Sequence, residues 1–362
     1  MGFMTVLALI FALLGALDRI CGNRFGLGKE FDKGFMLLGN MALSMIGMIV
    51  LAPALANLLQ PLFGFVSNTL KLDPSIIPAS LFANDMGGAP LALEVAADAA
   101  MGRFNALVVS SMMGCTISFT IPYSMNVVKP ERHRHMFFGF LCGIVTIPVG
   151  CFVAGLVCRL PIGDLLLNML PLALFSALIA AGLLLCPQFC VKVFSIIGTF
   201  IKILITFGLG LAILKFVTGL EPIKGLETLE EGARICINAS VVLAGMFPFM
   251  FVVSKLLHRP MKTLGRRLSV SETSVMGLLS NIVTNATTFE MVNHMDTKGI
   301  VLNAAFAISA AFSLGGHMAF TLALDATYLV PVLIGKLTAG ISGLVLAIIL
   351  YNRVYKDEES EL

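Results

Sequence analysis

The chain has 362 residues, 58% of them hydrophobic and only 12% charged, with a mean hydropathy of +0.95. A soluble domain keeps roughly a quarter of its residues charged, so this composition excludes the soluble class. The net charge of +3 is spread thinly, which excludes a nucleic-acid-binding patch.

A helix of about 20 apolar residues spans a hydrocarbon core of about 30 Å. In chain order the predicted spans are 3–20, 35–58, 104–128, 136–158, 165–186, 193–218, 234–257, 300–322 and 327–351. The first lacks a basic n-region and an A-x-A site before Asp18 and Arg19, so it reads as a membrane helix rather than a signal peptide. The predicted fold is therefore an all-α polytopic integral membrane protein with about nine membrane-crossing helices. Its cysteines (21, 115, 142, 151, 158, 186, 190 and 236) read as small, mostly buried thiols without metal or disulfide spacing.

Two further segments have the right length and the wrong composition. Residues 76–97 contain Asn84, Asp85, Gly87, Gly88, Pro90 and Glu94, and residues 272–293 contain Glu272, Asn281, Thr284, Asn285, Thr287, Thr288, Glu290 and Asn293. A charged side chain at the bilayer centre costs about 3 kcal/mol or more, so these segments are predicted to be hidden or broken and re-entrant.

Basic residues cluster at Arg19–Lys33, at Lys129, Arg132 and Arg134 (with His133 and His135 between), at Lys255–Arg267, and at Arg353 with Lys356. If both polar segments re-enter, all four clusters share one side, as the positive-inside rule requires. The acidic loop of Glu221, Glu227, Glu230 and Glu231 then lies outside.

An internal repeat at an offset of about 197 residues pairs Leu81–Asn84 with Leu278–Asn281, and Gly102–Asn105 with Gly299–Asn303. It divides the chain into a first repeat (1–160), a connecting helix (161–189), a second repeat (190–352) and a tail (353–362). Opposite starting sides make the repeat inverted, an arrangement common in secondary transporters.

Asp85 is the sharpest candidate for chemistry. An isolated carboxylate at membrane depth needs a partner: either a cationic ligand or a lysine or arginine on another helix. Gly87 and Gly88 let the backbone break and free its groups to coordinate a ligand, and Asn84 stands beside Asp85 as a further candidate. Asn281, Thr284, Asn285 and Thr288 offer amides and hydroxyls, either to a ligand or to neighbouring helices. His317, after Gly315 and Gly316, is placed to bind substrate, relay protons, or satisfy a backbone carbonyl. Glu94 and Glu290 are candidates for coupling, or for interface positions. No metal or cofactor is expected.

At these motifs the chain resembles the bacterial ethanolamine utilization permease family. The resembling stretches include Asn84-Asp-Met-Gly-Gly88, Ser111-Met-Met-Gly114 and Gly143-Ile-Val-Thr-Ile-Pro148-Val-Gly150. Further on come Met295-Asp-Thr-Lys-Gly299 and Asn303–Phe312, running into Gly315 and His317. The chain departs from the family pattern at Gly316, where members tend to carry an acidic residue, and within Asn281–Asn285. The resemblance implies a multi-pass protein of the bacterial inner membrane that carries ethanolamine. Composition and spacing imply only a small polar solute, cationic if Asp85 pairs with it. The competing classes are an ion channel and a membrane enzyme acting on lipid head groups. The latter would need a convergent nucleophile, base or metal cluster that the sequence does not display. A homo-oligomer is compatible with the sequence, but no feature specifies one.

Overall fold

A computed structural model describes residues 3–354, without the side chains at 257–262, 264 and 354. The side chains of Arg259 and Lys262, all of Lys356, and most of the predicted tail thus lie outside the described residues. Among the described residues every regular element is helical.

Eight helices are long and apolar enough to cross a membrane. They are Phe3–Ile20, Leu27–Leu58, Ala99–Val127, Pro130–Val157, Ile162–Leu185, Pro187–Thr218, the helix starting at Leu229, and Ala326–Arg353. Several extend beyond the predicted spans; the helix from Leu229 runs on to Leu268. The eighth predicted span, 300–322, is not one helix. It forms Thr297–Ala310 and Gly316–Leu324, separated by a break at 311–315. His133 and His135 lie in the first turn of a helix, His133–Ile144.

Lipid is as apolar as leucine, so helices in a bilayer associate through close packing rather than water exclusion. Gly47 and Gly208 show this. A Cβ at Gly47 would overlap the Ile205 carbonyl, and one at Gly208 would overlap the Gly47 carbonyl. The two backbones touch, which only a missing side chain permits.

Both polar segments are helical hairpins broken at their tips. The first runs Ile76–Leu81, extended Phe82 and Ala83, a single turn at Asn84–Met86, then Gly88–Val95. The second is Glu272–Val283 and Asn285–Val292, broken at extended Thr284. Hydrogen bonds tie the two ends of each hairpin together. Asp73 accepts from the amides of Ala97 (3.1 Å) and Asp98 (2.9 Å) at the first. Asp296 accepts from the Ser271 amide (2.8 Å) and the Ser274 hydroxyl (2.6 Å) at the second. The two ends of each segment thus lie together at one end of the bundle. Counted along the chain with both hairpins re-entering, the four basic clusters fall at one face and the acidic loop at the other.

Helix Ala99–Val127 passes through the centre and is wound as a wider π-helix over Asn105–Gly114 and Thr116–Thr120. Irregular backbone at membrane depth is tolerated only where protein surrounds it, and this helix is almost wholly buried. Its start meets Tyr328, whose hydroxyl donates to the Ala100 carbonyl (3.1 Å). Its end meets Asn293, whose amide donates to the Val127 carbonyl (3.1 Å). It therefore runs antiparallel to the broken pair Thr297–Ala310 and Gly316–Leu324.

Candidate functional site

Asp85 occupies the single turn at the tip of the first hairpin, and its side chain is 30% exposed. His317 is the second residue of Gly316–Leu324 and is buried. Lys336 sits within the apolar helix Leu329–Val354 and is 1% exposed. These three groups form a row. Lys336 Nζ donates to the Ser111 carbonyl (2.7 Å) and lies 3.2 Å from His317 Nδ1. His317 Nε2 lies 3.8 Å from Asp85 Oδ1.

With Lys336 protonated, the order of these contacts selects one imidazole tautomer. An ammonium has donors and no acceptor, so the nitrogen facing Lys336 must supply a lone pair. The proton then sits on Nε2, which faces Asp85 across a gap too long for a direct hydrogen bond. The Ser111 carbonyl belongs to the wide-wound part of Ala99–Val127, where the ladder is displaced from its usual register.

Aromatic rings flank the row. Phe312 lies in the break at 311–315 and adopts a φ of +61°, a left-handed conformation that non-glycine residues rarely take. Its ring centroid is 4.9 Å from that of His317 and 5.7 Å from that of Phe119. Strained backbone of this kind clusters at sites of function.

The predicted residues divide into those at the row and those spent elsewhere. Asn84 is fully buried beside Asp85, and neither atom of its amide group has a protein partner. Gly87, at φ +102°, lets the turn pack onto Met48, and Gly88 lies against the Phe82 carbonyl and the Ser110 hydroxyl. Both glycines serve close packing in this structure.

The second-hairpin residues are largely engaged within the protein. Asn281 donates to the Asn303 carbonyl (3.3 Å), and Asn285 to the Thr120 hydroxyl (3.0 Å). The Thr284 hydroxyl caps the next helix by accepting from the Ala286 amide (3.3 Å). Thr288 donates to the Gly277 carbonyl (3.0 Å). Asn281 and Asn285 each keep one buried amide oxygen without a partner.

The two glutamates lie away from the row. Glu94 is exposed and lines a cavity of about 280 Å³ with Asn57, Gln60 and Phe63. Glu290 is exposed and accepts from the Tyr123 hydroxyl (3.4 Å).

Lys336 is the residue that sequence reasoning missed. Its signal was a lone lysine within a long apolar helix, a position where a charge is costly and usually functional.

Comparison with known proteins places the chain in a family. The model described as "Ethanolamine utilisation protein, EutH" matches residues 2–350. A Listeria monocytogenes protein named probable ethanolamine permease EutH is 38% identical, over 98% of this chain and 95% of its own length. Proteins with the same name from Salmonella typhimurium and Escherichia coli are each 34% identical. They cover 98% and 94% of this chain and 95% and 93% of their own lengths, respectively. No solved structure matches the chain. This multi-pass membrane protein belongs to the ethanolamine utilisation protein EutH family.

Proposed function

We propose that the protein is a permease that carries ethanolamine across the cytoplasmic membrane by alternating access, with Asp85 holding the ammonium group. The observation that carries the reading is Asp85 itself, a carboxylate at the tip of a re-entrant hairpin, partly open and not directly bonded to its nearest basic neighbour. Ethanolamine at neutral pH is mostly an ammonium ion with a hydroxyl tail. The carboxylate suits the ammonium, the Nε2–H of His317 faces the same gap for the hydroxyl, and Phe312 offers a ring face.

Two inverted repeats, 1–160 and 190–352, would supply the two moving halves. The antiparallel course of Ala99–Val127 against Thr297–Leu324 supports this reading. So do matched anchors: Asn105 donates to the Ser75 hydroxyl (2.9 Å) at the base of the first hairpin, and Asn303 to the Ser274 carbonyl (2.8 Å) at the base of the second. The positive-inside rule then puts the basic face in the cytoplasm.

The test is uptake of labelled ethanolamine into proteoliposomes at acidic pH, which suppresses leakage of the neutral amine. Saturable uptake by the native protein, lost in Asp85→Asn while insertion is retained, is expected. Uptake no better than protein-free vesicles would sink the assignment, and non-saturating flux would favour a channel.

A further inference from the structure

The row from Lys336 to Asp85 has a charge balance that constrains what can be carried. Asp85 brings one negative charge and a protonated Lys336 one positive charge, and an Nδ1 that accepts from that ammonium leaves His317 neutral. The other groups facing Lys336 are uncharged: the Ser111 carbonyl, Cys115 of the wide-wound helix and Cys151 of helix Ile147–Val157. Among the described residues, no second carboxylate interacts with Lys336. Together these groups carry no net charge.

An amine cation settling on Asp85 would leave the site with a net positive charge among buried, largely apolar walls. Like charges one imidazole apart, in a medium that screens poorly, repel strongly. The repulsion disappears if Lys336 releases its proton as the cation arrives.

We propose that the site exchanges one proton for each amine cation it moves, with Lys336 as the group that gives up and regains the proton. This rests on the reading of Asp85 as the ammonium site. The geometry supplies a route. A proton passes from Lys336 Nζ to His317 Nδ1 while Nε2 releases its own proton toward the open side of Asp85. Lys336 becomes a neutral amine, His317 stays neutral as the other tautomer, and one proton leaves. When the amine cation departs, a proton re-enters at Nε2 and Nδ1 returns one to Nζ. Each turnover moves one alkylammonium one way and one proton the other, with no net charge.

The experiment uses full-length protein in proteoliposomes containing a pH-sensitive dye. A potassium gradient with valinomycin sets an inside-negative potential, and the probes are ethanolamine, ethylamine and 1-amino-2-propanol. Leakage into protein-free vesicles is subtracted. Expected for the native protein is amine uptake with matching alkalinisation of the lumen and no added accumulation under 59 mV. For a carrier of one net charge, that potential would give tenfold accumulation.

Lys336→Met is expected to convert uptake into potential-driven movement, approaching tenfold accumulation without a pH change. Lys336→Arg, which retains a charge it cannot release, is expected to lose uptake. Native uptake that follows the potential without lumenal alkalinisation would overturn the exchange and leave the permease reading intact. A Met variant that stays electroneutral would overturn the role of Lys336. Should neither variant insert, the native measurement alone decides the exchange. No uptake of any probe would remove the permease reading, and the exchange with it.

Discussion

The amide of Phe312 donates to the carbonyl of Asn281 across 3.1 Å, and two residues on Leu314 donates to Ile282 (2.9 Å). The break at 311–315 is thereby zipped to the tip of the second hairpin. Each break exposes backbone groups that lipid cannot satisfy, and here two breaks satisfy one another. The positions of Phe312 and His317 depend on this pairing.

Gly315 makes the approach possible, because a Cβ there would overlap the Val283 carbonyl. Gly315→Val is expected to destabilise the protein by about 1–3 kcal/mol, as overpacked sites do. Gly163, which has nothing within 4 Å, provides the control, and its valine variant is expected to stay within about 0.5 kcal/mol. Thermal unfolding in detergent compares the two.

Gly316 bears on the cation site directly. A Cβ there would lie 3.6 Å from Asp85 Oδ2 and close to nothing else. Gly316→Val therefore has room to fold but narrows the space beside the carboxylate. Half-saturating ethanolamine is expected to rise about ten- to a hundredfold, the scale on which pockets sense one or two methyl groups. An unchanged uptake curve would place the substrate elsewhere.

Re-entry predicts a labelling pattern. Lys71 and Ala97 flank the first hairpin and are both exposed. In a background without the exposed Cys21 and Cys186, cysteines at 71 and 97 are expected to react with an impermeant maleimide from the same side of the membrane. A cysteine at Glu131 is expected to react from the opposite side. Reaction of 71 and 97 from opposite sides would mean that the segment crosses.

Asn105 and Asn168 exchange reciprocal amide hydrogen bonds of 2.7 and 3.1 Å, joining the central helix to helix Ile162–Leu185. Asn168→Leu is expected to cost about 1–3 kcal/mol, because it strips partners from a buried amide. Adding Asn105→Leu is expected to cost less than the two single changes summed. A double-mutant cycle of unfolding free energies checks the coupling.

Much of the architecture was legible because the bilayer applies blunt rules. Long apolar runs marked the helices, and basic clusters required a common face. Asp85 and the Asn/Thr-rich stretch from Asn281 could not face lipid, which singled out both hairpins. The split of 300–322 was only hinted at by Gly315 and Gly316, since Ala311–Gly315 carries no charge or proline and reads as continuous helix. Its break depends on hydrogen bonds to a segment about thirty residues away.

The sequence by itself determined where charge sits at depth and that such charge needs a partner, because burial energy depends on residue type and surroundings common to any bilayer. Only the tertiary structure decided the partners. Lys336 is 19 residues from His317 and 225 from Ser111, and no pattern along the chain announces those contacts. The same decision engaged Thr288 within its own hairpin and left Asp85 partly open. Hydrogen-bonding capacity is finite and directional, so what remains for a ligand is known only after the fold has used its share.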